Sequence, residues 1–367
     1  MKSNYRYIVK AFMAMAVIAG TTSCDDFLDR EPMSSISPET YYSTAAQLEA
    51  NLNDEYPNVL PSFGQWTYGI FGEDKGTDNQ IEVNANDRYT QDRWKVPHSE
   101  SDNWKFERIY RINFFLSEAL PKFGEDMSGS QNTISGSVAT IKHYIGEMYF
   151  LRAYEYFKKL QLFGDFPIIN QPLADEMEAL REASKRFPRN EVARFIISDL
   201  DKAYAYMSDV DMATTRINKD VAMLVKSRVA LFEATWLQNF KGTAFVPGGE
   251  GWPGASLHNN YQYPSGNIDN EVKYFLEQAV EASKLVADKY KGSLTENTGV
   301  LQQSADDPSN PYFDMFAQED LSDVKEVLLW RQYARGLSTH NINAAAGRGN
   351  YRIGLTRGFV QNFLMKD

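Results

Sequence analysis

Apolar residues recur at steps of three and four through most of the chain after residue 42, which is the spacing of one face of an α-helix. The clearest stripe predicts a helix from about Thr133 to Phe163 with a left-handed cap at Gly164. The stripe consists of Ile141, Tyr144, Ile145, Met148, Leu151, Tyr154, Phe157 and Leu160. The same spacing predicts further helices over Ser43–Tyr56, Asp102–Leu120, Arg189–Met207, Asn218–Asn239 and Asn270–Lys291. Alternating β-branched runs are few, so the predicted fold class is mainly α.

Small residues at expected helix crossings indicate how these helices pack. These small residues are Ala153, Ala203, Ala230 and Ala282. They predict antiparallel helix hairpins that stack as in a tetratricopeptide array, although the sequence keeps no strict period of about 34 residues. Three long irregular insertions separate the helices: residues 57–101, 241–269, and 292 to the end. We expect the helix pairs to form a scaffold and the insertions to form the ligand-binding surface.

The N-terminus has the pattern of a secretion signal. A basic start is followed by ten apolar residues, Ala11–Gly20, by small polar residues, and by Cys24, the single cysteine of the chain. Ten residues of helix span about 15 Å, which is about half of a bilayer core. We therefore expect a signal peptide over residues 1–23, a lipidated Cys24 with a tether over residues 24–42, and one α-helical domain over residues 43–367. The alternative for Cys24 is a small buried apolar residue.

Composition and charge indicate a folded protein and argue against a nucleic-acid-binding or transmembrane class. The chain is 43% hydrophobic and 13% aromatic, as expected of a folded protein with some rings outside the core. Its net charge of -11 argues against nucleic-acid binding, because that binding depends on clustered Lys and Arg. After the leader no apolar run approaches the length of a transmembrane helix, so we expect the body to be held at a membrane only by lipid.

The sequence offers little for catalysis. Its four histidines lack metal-ligand spacing, and we predict no metal site; they are His98, His143, His258 and His340. Common hydrolase and nucleotide-binding motifs are missing. Glu147 and Arg152 lie beside a core stripe, so we interpret them as structural salt-bridge residues. We expect a protein that is not an enzyme and has no cofactor.

A binding site for sugars is expected to show a different sequence pattern from a catalytic site. Sugar rings stack on exposed aromatic side chains and need planar polar partners for their hydroxyl groups. The insertion at 57–101 has this mixture, with candidate ligand residues Trp66, Tyr68, Asp78, Asn79, Arg88, Gln91 and Trp94. The insertion at 241–269 supplies a second group of candidate ligand residues, Trp252, Tyr261 and Tyr263. In this group Trp252 stands between glycines and a proline. The alternative is that these rings pack their loops onto the helices.

Several blocks of sequence resemble one known family. The segment Gly146–Phe157 followed by Leu162–Pro167 is similar to the most distinctive signature of the SusD-like (RagB/SusD) nutrient-binding lipoproteins of the outer membrane. Further similar blocks lie in the same order as in the family: Cys24–Asp29, Ile196–Leu200, Lys226–Leu231 and Glu326–Trp330. The resemblance runs nearly from end to end. Family members continue beyond a block similar to Gly358–Asp367, so we expect the domain to lack its C-terminal portion.

The resemblance implies a function. Such proteins bind glycans, or peptides in some branches, on the outer face of the outer membrane and pass them to a SusC-like TonB-dependent transporter, without catalysis. We therefore expect a lipid-anchored glycan-binding protein with an oligosaccharide or polysaccharide ligand. Two alternatives remain open: a peptide-binding member of the same family, and a structural or adhesive surface lipoprotein that binds no small ligand.

Overall fold

Long helices carry the fold. A computed structural model describes residues 41–61, 63, 72, 74–82, 91, 103–124, 126–208, 212–301, 304, 306–334, 339 and 353–363. Within them the long helices are α1 (Ala45–Val59), α2 (Glu107–Phe123), α3 (Val138–Phe163), α5 (Arg189–Tyr206), α6 (Lys219–Asn239) and α7 (Ile268–Tyr290). Short helices are α4 (Met177–Ala183), α8 (Pro311–Ala317) and α9 (Arg357–Gln361), with a 3₁₀ turn at Pro253–Ser256. The predicted mainly α fold is confirmed.

The long helices pack in the order in which they occur. Both α1 and α2 pack on α3, α5 packs on α3, α6 packs on α5, and α7 packs on α6. The predicted stripe of α3 lies in the core, where Ile141, Ile145, Met148 and Leu151 are fully buried. This order agrees with helix hairpins, while the tetratricopeptide periodicity and the predicted domain limits stay predictions. No helix in the described ranges combines the length and the apolar character needed to span a bilayer.

One small sheet joins two of the insertions. Strand β1 (Gln80–Glu82) pairs antiparallel with β2 (Ile353–Leu355), and Ile81 lies opposite Gly354. A hydrogen bond from the Tyr333 hydroxyl to the carbonyl of Phe63 joins the same two insertions (3.4 Å). The first and third insertions therefore meet on the helical scaffold.

Buried arginine–carboxylate pairs connect the helices. Arg152 of α3 donates to both carboxylate oxygens of Asp199 on α5, over 2.6 and 2.8 Å, and both residues are buried. Two further pairs extend the pattern, Arg189 with Glu233 and Arg194 with Glu271. Glu147 is buried as well and accepts from Arg216. The predicted structural roles of Glu147 and Arg152 are confirmed.

The predicted boundaries of three helices were wrong: those of α1 and α2, and the start of α3, which begins at Val138 after the Ser137 cap rather than at about Thr133. Helix α1 is capped by Thr44 rather than Ser43, because Thr44 and Gln47 exchange side-chain-to-backbone hydrogen bonds as a capping box. It also continues through Pro57 to Val59, a residue whose burial holds the last turn on the scaffold. Helix α2 begins at Glu107 without a side-chain cap, since its N-cap residue is Phe106, whose side chain has no group that could accept a backbone N–H. The predicted cap at Asp102 lies outside the described residues.

Candidate functional site

The structure describes only part of the predicted ligand set. Cys24, Trp66, Tyr68, Arg88 and Trp94 lie outside the described residues, so their roles stay predictions. Gln91 is exposed in a turn.

Asp78 and Asn79 belong to the turn that precedes β1. Their backbone carbonyls accept the hydroxyl and the N–H of Thr356, respectively. The Asp78 side chain is exposed and the Asn79 amide is half-buried. The structure therefore gives both residues a part in joining the first and third insertions, and contact with a ligand stays a prediction.

Trp252 is buried, with only 5% of its surface exposed. Its indole Nε1 donates to Asp165 Oδ2 over 2.7 Å. Gly254 packs so closely that a Cβ atom built there would lie 2.2 Å from the Trp252 ring. The expectation that Trp252 presents a free platform was wrong, because its partner is a carboxylate 87 positions away that the sequence pattern does not reveal.

Tyr261 and Tyr263 are half-buried and hold the same loop in place. The Tyr261 hydroxyl exchanges hydrogen bonds with the Asn190 amide, at 2.9 and 3.0 Å. The Tyr263 hydroxyl donates to the carbonyl of Pro247 over 2.6 Å. Burial raises the pKa of both hydroxyls well above the ordinary tyrosine value, so they remain donors. Trp252, Tyr261 and Tyr263 thus lie together, and their contact with a ligand stays a prediction.

A cleft of about 580 Å³ lies where the third insertion crosses the end of α1, the middle of α3 and the start of α6. This volume is in the range of small-ligand sites, roughly 300–1,000 Å³. Its lining combines aromatic rings with planar polar groups: Tyr56, Pro57, Leu60, Pro61, Phe150, Tyr154, Thr215, Val221, Val225, Arg228, Leu329, Trp330, Arg331 and Gln332. We refer to it as the Trp330 cleft.

The aromatic walls of the Trp330 cleft are fixed in place. Trp330 donates its indole N–H to Thr214 Oγ1 over 2.8 Å, and its backbone N–H to the Thr214 carbonyl over 3.2 Å. Tyr154 is half-buried and stacks on buried Phe150, with ring centroids 6.0 Å apart and planes at 16°. Rings held in this way offer apolar surface at little conformational cost on binding.

A buried polar network orients the third ring, Tyr56. Its hydroxyl donates to Glu147 Oε2 over 2.6 Å and accepts the backbone N–H of Ile217 over 2.9 Å. Glu147 is completely buried and also receives two hydrogen bonds from Arg216, at 3.0 and 2.8 Å. Burial, and then the negative charge of Glu147, raise the pKa of Tyr56 well above its ordinary value. The Tyr56 ring is therefore a rigid part of the wall.

Polar groups at the edge of the cleft remain available. Arg228 is exposed and forms no hydrogen bond or ion pair with any residue that the structure describes, and the Gln332 amide is also exposed. The described ranges contain no cluster of His, Cys, Asp or Glu able to hold a metal ion. The arrangement is suited to stacking and hydrogen bonding.

Most residues of the cleft were missed by the sequence analysis. Trp330 lies over 270 positions from Tyr56, and no local pattern links them. One available signal was the spacing of Val221, Val225 and Arg228, which places an arginine in line with the apolar face of α6.

Known proteins match much of the chain. SusD-like protein P2 from Formosa agariphila is 25% identical over 253 residues, covering 66% of this chain and 46% of that protein. SusD-like protein P25 from the same organism is 25% identical over 233 residues, covering 58% of this chain and 41% of that protein. The chain thus spans less than half the length of these curated relatives.

Solved structures of the same class are similar. A SusD homolog from Bacteroides thetaiotaomicron has 18% identity and a TM-score of 0.43, over 71% of this chain and 43% of that chain. A laminarin-binding SusD-like protein has 16% identity and a TM-score of 0.42, over 70% and 45% of the two chains. A family model described as "Starch-binding associating with outer membrane" matches residues 26–231, more than half of the sequence. With this match on a mainly α fold, the chain belongs to the SusD-like family.

Proposed function

We propose that this protein is a cell-surface lipoprotein that captures an oligosaccharide or polysaccharide and delivers it to a SusC-like TonB-dependent transporter. The Trp330 cleft is the observation that carries this proposal. Fixed rings of Tyr154 and Trp330 would stack on the apolar faces of sugars, while Arg228 and Gln332 would bond their hydroxyl groups. Membership in a family described as starch-binding supports the same ligand class.

The proposed place of action is the outer face of the outer membrane. The apolar leader and Cys24 support a lipid anchor, and residues 24–42 would form the tether between the anchor and the helical body. The family description, which includes association with the outer membrane, agrees with this location. The proposal includes no catalytic step, and the protein would hand on its ligand unchanged.

Calorimetric titration against soluble starch, laminarin, their oligosaccharides and a peptide panel tests the proposal. We expect at least one glycan to bind, and Trp330→Ala to weaken that binding about 10- to 100-fold. Phe316→Ala is the matched control, because Phe316 is an aromatic residue with 73% exposure outside the cleft lining.

Three results would decide against this proposal. Binding of peptides alone would favour the peptide-binding alternative, and binding of neither class would favour a structural or adhesive protein. Unchanged glycan affinity in a folded Trp330→Ala variant would exclude the Trp330 cleft as the site.

A further inference from the structure

A second pocket lies further along α3 and α6, two of the three helices that line the Trp330 cleft. It has a volume of about 490 Å³ and is formed by the C-terminal end of α3, the C-terminal end of α6 and the 241–269 loop. It shares no lining residue with the Trp330 cleft. We refer to it as the loop pocket, and its principal side chains are Asp165, Arg186, Arg189, Trp236, Phe245 and Leu257.

The loop pocket exposes apolar and aromatic surface. Phe245 is 61% exposed and Leu257 is 53% exposed, while Val246 and Trp252 of the same loop are buried. Trp236 is half-buried, and its indole N–H donates to the carbonyl of Phe245 over 3.0 Å, which fixes the two aromatic residues relative to each other. Aromatic surface held at a concave site is typical of ligand binding.

Arg189 supplies an unused donor beside this surface. The residue is only 3% exposed, and its Nε and Nη2 atoms donate to Glu233 at 2.8 to 3.1 Å. Its Nη1 atom forms no hydrogen bond within the described part of the chain, and it lies beside Gly164, 3.4 Å from a Cβ atom built on that lining residue. Nη1 is not among the buried side-chain atoms that lack a partner, so it is open to solvent at the pocket and can donate to a ligand oxygen there.

Asp165 supplies the complementary acceptor. Its Oδ1 atom accepts the backbone N–H of Arg189 over 2.9 Å, and Oδ2 accepts the Trp252 indole. A carboxylate has about four acceptor positions, so these two bonds leave capacity for a ligand hydroxyl. An apolar side chain of a partner protein would leave both Asp165 and Arg189 Nη1 without new partners, whereas two adjacent hydroxyl groups of a sugar would satisfy both.

We infer that the loop pocket is a second saccharide-binding site, which binds adjacent hydroxyl groups of a sugar, and that it binds another part of the glycan held in the Trp330 cleft. The inference rests on the proposed function for its ligand class. Tyr154 lines the cleft and Gln161 lines the loop pocket, seven residues further along α3, which is about 10 Å of helix. The edge-on contact between Phe157 and Phe232 joins α3 and α6 between the two sites. One extended glycan can therefore occupy both sites and gain avidity.

The test uses the full chain and the best-binding glycan among soluble starch, laminarin and their oligosaccharides. Calorimetry with a short oligosaccharide should give two sites per protein, and Phe245→Ala should leave one. The same variant should weaken binding of the corresponding polysaccharide about tenfold or more. Because Phe245 is largely exposed, the substitution should leave the fold intact, and Phe316→Ala again serves as the control.

The outcomes separate this inference from the proposed function. A single site that is lost in Trp330→Ala and unaffected by Phe245→Ala would overturn the second site while leaving the proposed function standing. Binding of no glycan by the wild type would overturn both. Loss of one site in each variant, with both lost in the double variant, would support the two-site arrangement.

Discussion

The indole N–H of Trp252 donates to Asp165 Oδ2 over 2.7 Å and so ties the 241–269 loop to the turn that ends α3. The other oxygen of the same carboxylate accepts the N–H of Arg189 at the start of α5. One side chain therefore joins the end of one helix, the start of another and a loop. The Gly164 cap at this turn has a φ of 68°, as the sequence predicted.

Trp252→Phe should destabilise the fold without removing an apolar ring. The substitution leaves Asp165 Oδ2 without its donor, and we expect the free energy of unfolding to fall by about 1–3 kcal/mol. Urea denaturation measures this change. Asp165→Asn and the double variant complete a double-mutant cycle, and additive effects of the two substitutions would show that the bond contributes nothing.

Acid should weaken the contact between α5 and α7. Burial of Glu271 raises its pKa, but hydrogen bonds from Arg194, Asn190 and Ser265 outweigh that effect and hold the pKa below the ordinary 4.5. The ionised carboxylate therefore stabilises the fold above pH 4.5, and this stabilisation is lost as pH falls through the lowered pKa.

Urea denaturation at a series of pH values checks this expectation. Glu271→Gln should show a smaller loss of stability below pH 4.5 than the wild type. Glu281→Gln, an exposed position on the same helix, is the control. Equal pH dependence in wild type and Glu271→Gln would contradict the assignment.

The sequence predicted the helices better than it predicted the residues of the candidate site. The stripe of α3, the extent of α6 and the Gly164 cap depend on neighbours within one or two turns, so sequence spacing was sufficient. Strands β1 and β2 have three residues each and pair across more than 270 positions, and no local pattern identifies them.

The ligand surface was harder to predict for a related reason. Trp252 stands between glycines and a proline, which indicated a loop correctly, but its burial depends on the distant Asp165. Trp330 and Arg228 become neighbours of one cleft only through helix packing. Composition could therefore favour ligand binding as a hypothesis without identifying the rings that line the Trp330 cleft.

Arg152 and Asp199 should act as a unit in stability. Arg152→Met leaves buried Asp199 with only a long ion pair to Lys202, at 3.9 Å, and we expect a loss of about 3–5 kcal/mol in the free energy of unfolding. Arg152→Met with Asp199→Leu should recover part of this loss, because the buried charge is gone while Asn113 Oδ1 still lacks its donor. Thermal or urea unfolding measures both.

An exposed pair provides the comparison. Lys273 and Glu277 lie 3.8 Å apart on the surface of α7, and Lys273→Ala should change stability by less than about 1 kcal/mol. A loss of similar size for Arg152→Met and Lys273→Ala would mean that burial adds nothing to the Arg152–Asp199 pair.

Cys24→Ser should separate anchoring from ligand binding. Without the thiol no thioether to lipid can form, so we expect the protein to leave the membrane fraction while its glycan affinity stays unchanged. Membrane fractionation and calorimetry measure the two properties. A variant that remains fully membrane-bound would overturn the predicted lipid attachment.

The Tyr56 hydroxyl has a consequence for the order of folding. Its two partners, Glu147 and the N–H of Ile217, lie 91 and 161 positions later in the chain. During synthesis the Tyr56 hydroxyl has both hydrogen-bond partners only after residue 217 has emerged. The chain between Tyr56 and Ile217 must then close as a loop, which costs conformational entropy and slows folding. The Tyr56 wall of the Trp330 cleft can therefore become native only after Ile217 has emerged, so a ribosome-bound chain that ends before Ile217 should lack this wall.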